Sequence, residues 1–182
     1  IIKYLENENK HVKKIGAANC VTINKKIQGS NTDWIGFLNI IKDHNIKKNN
    51  KIIILGYGGA AQAIVYGFLL KGYKNVIIFN RSKRKINNTK NYTKKYSLIG
   101  QHLKNADIVI NTTPANPLNK KQTKLLNQKA LVADIVYKPK NTKFLEQFKK
   151  NPKIYGISML IEQAIPCFKT WFGFEPKLDD SL

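Results

Sequence analysis

The stretch that most constrains this chain is Lys51-Ile52-Ile53-Ile54-Leu55-Gly56-Tyr57-Gly58-Gly59-Ala60-Ala61-Gln62-Ala63. Four apolar residues in a row, three of them β-branched, do not alternate between a core side and a solvent side. That is the pattern of a parallel strand covered on both faces. The glycines then matter for the Cβ they lack: Gly56 suits a tight turn and Gly58 a close approach of pyrophosphate to the backbone. The N–H groups of the following helix start face the negative charge. Ala61 stands where G-x-G-x-x-G/A allows alanine. Glycines alone would fit a purely structural strand-to-helix turn. The buried strand before them and Ala60-Ala61-Gln62-Ala63-Ile64-Val65 after them favour a dinucleotide site.

Apolar runs recur downstream at intervals that suit alternating strands and helices: Ile52 to Leu55, Val76 to Phe79, Ile108 to Ile110, Leu131 to Tyr137 and Ile154 to Ile157. They predict an α/β fold, a doubly wound and mostly parallel Rossmann-like sheet. Helices are expected over 59–71, part of 82–97, 120–128 and 142–150. Upstream, residues 3–14 read as one surface helix ended by Gly16, and Val21 to Ile23 as a short strand turning at 24–26 into Ile27-Gln28. The turn and N-cap residues Gly29 to Asp33 open a helix through Trp34, Phe37, Leu38 and Ile41. A last amphipathic helix carries Met159, Leu160, Ala164, Phe168 and Trp171, with a kink expected at Pro166.

The 182 residues carry a formal charge of +21 and are 42% hydrophobic, enough for a packed core. The charge raises nucleic-acid binding as a possibility. However, the lysines are scattered among Asn and Ile, with no arginine-rich helix and no aromatic ladder, so a solvated surface is expected and a nucleic-acid partner is not. No stretch approaches the ~20 apolar residues of a membrane span, and the N-terminus lacks a signal-peptide pattern, which predicts a cytoplasmic protein. Cys20 and Cys167 have no metal or disulfide spacing and read as buried thiols. No metal is expected, and His11, His44 and His102 receive no role.

The second strand ends at Phe79-Asn80-Arg81-Ser82-Lys83-Arg84-Lys85. An NAD site has an acid there for the ribose 2′-OH. Here there is none, and Arg81, Ser82 and the three further cations suit a 2′-phosphate, so NADP is the expected cofactor.

Seven stretches together resemble the shikimate dehydrogenases, NADP-dependent enzymes that reduce 3-dehydroshikimate in aromatic amino-acid (chorismate) biosynthesis. They are Ile15-Gly16-Ala17-Ala18-Asn19, Asn31-Thr32-Asp33-Trp34-Ile35-Gly36-Phe37, Gly56-Tyr57-Gly58-Gly59-Ala60, Asn80-Arg81-Ser82, Asn111-Thr112-Thr113-Pro114, Asp134-Ile135-Val136-Tyr137-Lys138-Pro139, and Gly156-Ile157-Ser158-Met159-Leu160-Ile161-Glu162-Gln163. They occur in the family's order across nearly the whole chain.

The resemblance implies a catalytic role for Asp33 and substrate binding by Asn19, Asp33, Tyr137 and Gln163. It implies cofactor binding by Gly56, Tyr57, Gly58, Gly59, Ala60, Asn80, Arg81, Ser82, Lys85, Asn111, Thr112, Thr113, Gly156 and Met159. The partners implied are shikimate and 3-dehydroshikimate, in a monomer or homodimer. Segments 1–32 and 157–182 would be remnants of a second, substrate-binding α/β domain, and 33–156 a linker helix plus the NADP domain. The family's Val-Thr-x-Pro-x-Lys motif, with its catalytic lysine, does not occur in this sequence. The chain therefore reads as part of a longer protein, able to bind NADPH but inactive alone. A quinate or methylene-tetrahydrofolate dehydrogenase, and a non-catalytic nucleotide- or nucleic-acid-binding module, are the alternatives.

Overall fold

A computed structural model describes residues 1–178, with Asn7 and Glu8 described by backbone alone; the last four residues of the 157–182 segment lie outside it. The elements run β1 (Asn7–Glu8), α1 (Lys10–Ile15), β2 (Cys20–Asn24), β3 (Lys26–Ser30), α2 (Asp33–Ile41), β4 (Ile52–Leu55), α3 (Gly59–Leu70), β5 (Val76–Phe79), α4 (Gly100–Leu103), β6 (Ile108–Asn111), α5 (Lys120–Thr123), β7 (Leu131–Asp134), β8 (Lys153–Ile154) and α6 (Gly156–Phe172). The larger sheet has the order β5-β4-β6-β7-β8 and is parallel throughout. The chain leaves β4 to one side for β5 and returns to the other for β6. The crevice at the strands' C-terminal ends beside β4 is therefore where such a sheet takes a ligand. A smaller sheet, β1-β3-β2, is built from the first thirty residues.

The lack of alternation in β4 has a direct cause. Ile52 and Ile54 pack with Phe37, Ile64 and Phe68 of α2 and α3, while Ile53 and Leu55 pack with Phe79, Ile99, Leu103 and Phe144 on the other face. Both faces are dry, so both need apolar side chains, each worth about 1.5–3 kcal/mol when fully buried.

The strands expected from the sequence are found, apart from two ends, and β1 lies in a stretch expected as helix. The run expected through Tyr137 stops at Asp134, because its Oδ1 accepts a hydrogen bond from the Val136 N–H (3.1 Å) and turns the chain. The strand expected over 154–157 is Lys153–Ile154, and Gly156 already begins α6.

The helices need more correction. Residues 82–97 form no helix until the 3-10 turn Tyr96–Leu98. Asn88 takes a left-handed φ of 58°, and the segment folds back so that Lys85 bridges Tyr92. Of its residues only Ile86 and Thr93 are buried, so there is no apolar stripe to hold a helix. The helix expected over 142–150 is only the 3-10 turn Leu145–Gln147, and that over 120–128 only α5. Residues 3–14 are likewise divided: Asn9 caps α1 by accepting from the N–H groups of His11 and Val12, and Gly16 ends it with φ +77°.

α2 packs along α3 and α6. At Gly36 it comes so near α6 that a Cβ there would lie 2.6 Å from the Gln163 backbone nitrogen. The α6 helix continues through Pro166 to Gly173, leaving Leu160 and Trp171 exposed and Phe168 half-buried. Cys20 and Cys167 are buried free thiols. Among the described residues no helix is long and apolar enough to cross a membrane.

Candidate functional site

A cavity of about 640 Å³ opens at the C-terminal ends of β4, β5 and β6. Gly56 and Gly58 form its floor, Arg81, Ser82 and Arg84 one wall, and Thr112, Thr113 and Pro114 the other. Gly56 holds φ +99°, and a Cβ there would stand 2.7 Å from both Thr112 Oγ1 and Thr113 Cγ2, so the turn needs glycine. A Cβ on Gly58 would meet no protein atom within 4 Å; it would occupy the open floor instead. Behind this floor the free N–H groups of α3 begin, in the right place for phosphate.

The basic wall is carried on the folded-back segment after β5. The Arg84 N–H donates to Thr93 Oγ1 (2.9 Å), the Thr93 N–H to the Arg84 carbonyl (2.8 Å), and Thr93 Oγ1 to the Ser82 carbonyl (3.1 Å). Asn80 Nδ2 also donates to the Ser82 carbonyl (3.1 Å), so that side chain shapes the turn. Lys85, expected beside Arg81, lines a separate hollow with Lys13 and Lys14, and Arg84 takes its place in the cavity. Adjacent residues of an extended segment point to opposite sides. Tyr96, half-buried, completes the wall. Burial raises its hydroxyl pKa, opposed by a backbone hydrogen bond at Gly56 and by the Arg81 charge.

Asn111 is buried, and its amide is consumed internally. Its Nδ2 reaches the carbonyls of Thr113 and Ala115 and Asp134 Oδ1, while its Oδ1 accepts from the N–H and hydroxyl of Thr113. It shapes the 111–115 wall from behind. Asp134, also buried, is held by Asn111 and by Thr142 Oγ1 at 2.6 Å. Burial lifts its carboxyl pKa, and the hydrogen bonds from Thr142, Val136 and Asn111 act against that. Tyr57 also lines the cavity, and its hydroxyl, accepting from the Asn87 N–H (2.8 Å), is anchored to the folded-back segment.

A second cavity, about 230 Å³, is lined by Asn19, Asp33, Ala60, Tyr137, Met159 and Gln163, with Gly156 at its edge. Three residues far apart in sequence meet here. Asn19 Nδ2 lies 2.8 Å from Asp33 Oδ1, 3.0 Å from Gln163 Oε1 and 2.9 Å from Thr32 Oγ1, and Asn19 Oδ1 accepts from the Thr32 N–H (2.8 Å). Asp33 is not the N-cap its sequence context suggested; that position is Thr32, and Asp33 is the first helical residue. Burial raises the Asp33 carboxyl pKa, and the Asn19 hydrogen bond acts in the opposite direction. Among the described residues the one ion pair is Lys169–Glu175, so Asp33 has no cationic partner there. No group of three His, Cys, Asp or Glu could hold a metal among them.

Comparison with known proteins decides the family. The family model described as shikimate / quinate 5-dehydrogenase matches residues 40–154. The NADP(+) shikimate dehydrogenase of Nitrosopumilus maritimus is 38% identical over 96% of this chain and 70% of its own length. The chain belongs to the shikimate/quinate 5-dehydrogenase family. Among solved structures, the Aquifex aeolicus shikimate dehydrogenase superposes with a TM-score of 0.82 at 31% identity, over 97% of this chain and 69% of that one. Another shikimate dehydrogenase, solved in complex with NADP+, gives a TM-score of 0.81 at 29% identity, over 97% of this chain and 68% of that one.

For a member of this dehydrogenase family, the cavity fits a dinucleotide phosphate on its own geometry: an unobstructed glycine floor, a helix start behind it and two arginines on one wall. Sequence reading missed Tyr96, Pro117 and the Thr93 bracket; it counted Arg84 among the cations, but the resemblance named Lys85 for the place in the cavity that Arg84 takes. The pairing of residue 84 with 93 is the signal that would separate them, and it depends on a fold-back that no local pattern announces.

Proposed function

We propose that this chain is the cofactor-binding part, with a portion of the substrate site, of an NADP-dependent shikimate dehydrogenase, which interconverts 3-dehydroshikimate and shikimate. The observation that carries the reading is the adjacency of the two cavities across a single turn. Gly56 and Gly58 line the larger, and Ala60, two residues on, lines the smaller with Asn19, Asp33 and Gln163.

NADP(H), when bound, supplies or receives the hydride. Gly56 to Ala60 would hold its pyrophosphate, and Arg81, Ser82 and Arg84 its 2′-phosphate. Thr112 and Thr113 would bound it on the far side, where the Thr112 hydroxyl is fixed to the Leu55 carbonyl at 2.6 Å. Met159 and Gly156 would border its inner end. In the smaller cavity, Asn19 holds Asp33 through Oδ1, leaving Oδ2 without a hydrogen-bond partner among the described residues. Asp33 Oδ2 is the atom placed to exchange a proton with the substrate oxygen, directly or through a lysine of the family's kind, and burial raises the pKa of its carboxyl. Tyr137 and Gln163 would contact the substrate hydroxyls.

The test uses the full-length protein that carries this chain, with shikimate or quinate and NADP+ or NAD+, followed by the absorbance of reduced nicotinamide. Shikimate with NADP+ is the expected best pair. Turnover confined to quinate, or to NAD+, would replace the reading with a different dehydrogenase of the family.

A further inference from the structure

We infer that Thr93 is the positioning residue that sets the preference for NADPH over NADH, by fixing the turn that carries Arg81, Ser82 and Arg84. The inference rests on the reading of that turn as the 2′-phosphate site.

Besides the Asn80 amide, which donates to the Ser82 carbonyl, Thr93 is the side chain that ties the turn down. Residues 81–85 are all exposed, whereas Thr93 is only 4% exposed. Its single hydroxyl does two jobs, accepting from the Arg84 N–H and donating to the Ser82 carbonyl, while its own N–H donates to the Arg84 carbonyl. One residue therefore binds three backbone groups within residues 82–84. The antiparallel pair Lys85 with Tyr92 continues the fold-back, and a parallel pair of Lys94 with Phe79 joins the returning segment to β5.

This bracket also decides which cation faces the cavity. Lys83, Arg84 and Lys85 are consecutive, and a shift of one residue in an extended pairing exchanges the two faces. With Thr93 opposite Arg84, a planar guanidinium lines the cavity, and Lys85 is sent to the hollow of Lys13 and Lys14. A guanidinium grips phosphate oxygens in a fixed fork, which a lysine ammonium does not. Loss of the hydroxyl should therefore affect the 2′-phosphate and spare the rest of the dinucleotide, whose floor at Gly56 and Gly58 belongs to another element.

The experiment measures Kd for NADPH and NADH, with thermal unfolding, for the wild type, Thr93→Val, Thr93→Ser and Arg81→Ala. Thr93→Val keeps the shape and removes both hydroxyl bonds. It should raise Kd for NADPH about tenfold and leave NADH within about twofold, and Thr93→Ser should restore the wild-type ratio. An unchanged NADPH/NADH ratio in Thr93→Val, or an equal loss for both cofactors, overturns the inference. Thr93→Ala is the second variant should Thr93→Val not fold, and unfolding of both would make Thr93 a residue of the fold and also overturn it. If Arg81→Ala abolishes the preference and Thr93→Val does not, the 2′-phosphate site stands and only the role of Thr93 falls. A wild type without preference for NADPH removes the site reading itself.

Discussion

Asn19 and Asp33 are joined by a 2.8 Å hydrogen bond from Nδ2 to Oδ1, which ties the chain entering β2 to the first turn of α2. Gln163 of α6 closes the group from the third side, 3.0 Å from the same nitrogen. The arrangement leaves one Asp33 oxygen without a hydrogen-bond partner among the described residues, inside a small cavity beside the helix start that faces the larger one.

Asp33→Asn is expected to separate chemistry from stability. Burial holds the Asp33 carboxyl pKa above its ordinary 3.8, so the folded state keeps the proton more tightly than the unfolded chain. The stabilising contribution is complete below 3.8 and is lost as pH rises through the raised folded value. The Asn variant has no such loss. Its stability, measured by urea unfolding across that range, should depend less on pH and be no lower at neutrality. Turnover in the full-length protein should nevertheless fall by roughly 10²–10⁴. Unchanged turnover per folded molecule would reduce Asp33 to a structural residue.

Gly58→Ala tests the floor of the cofactor cavity. The backbone there is extended, with φ −87° and ψ −170°, and the added methyl meets no atom. Stability should move by no more than about 0.5 kcal/mol. The methyl would stand where pyrophosphate approaches, so NADPH and NADH should weaken together by about tenfold or more. An unaffected Kd for both would place the dinucleotide elsewhere.

Arg84→Ala and Lys85→Ala should behave differently although the residues are neighbours. Arg84 faces the cavity and Lys85 faces Lys13 and Lys14. Removing Arg84 should cost NADPH binding roughly 1–3 kcal/mol and leave NADH nearly unchanged. Removing Lys85 should change neither beyond a small salt-dependent effect. Titration by fluorescence or calorimetry distinguishes them, and the reverse outcome would mean that the segment pairs in another register.

Thr142→Val removes the donor to Asp134 Oδ2 at 2.6 Å and the oxygen that the Leu145 N–H reaches at 3.2 Å, both in buried surroundings. A destabilisation of about 1–3 kcal/mol is expected from the groups left unsatisfied. A denaturant midpoint equal to that of wild type would show that the Asp134 bracket does not depend on this donor.

What could be read in advance was what local pattern controls. β4 and β6 were legible because a strand dry on both faces leaves an uninterrupted apolar run, and the glycine turn because Gly56 is required by its φ and by Thr112. The helices on the second face were not, because Thr142, Asn88 and Thr93 divert backbone groups to side-chain and turn hydrogen bonds that a periodicity count does not weigh. In the site, Asn19, Asp33 and Gln163 were each legible from the family pattern. That they share one nitrogen's hydrogen bonds was not, since it depends on Gly36 letting α2 approach α6.

The central claim is that the chain holds a dinucleotide bearing a 2′-phosphate, and equilibrium titration with NADPH and NADH at low and high salt tests it most directly. NADPH should bind more tightly, with the difference narrowing as salt screens the arginines. Equal affinity at low salt, or tighter binding of NADH, would contradict it.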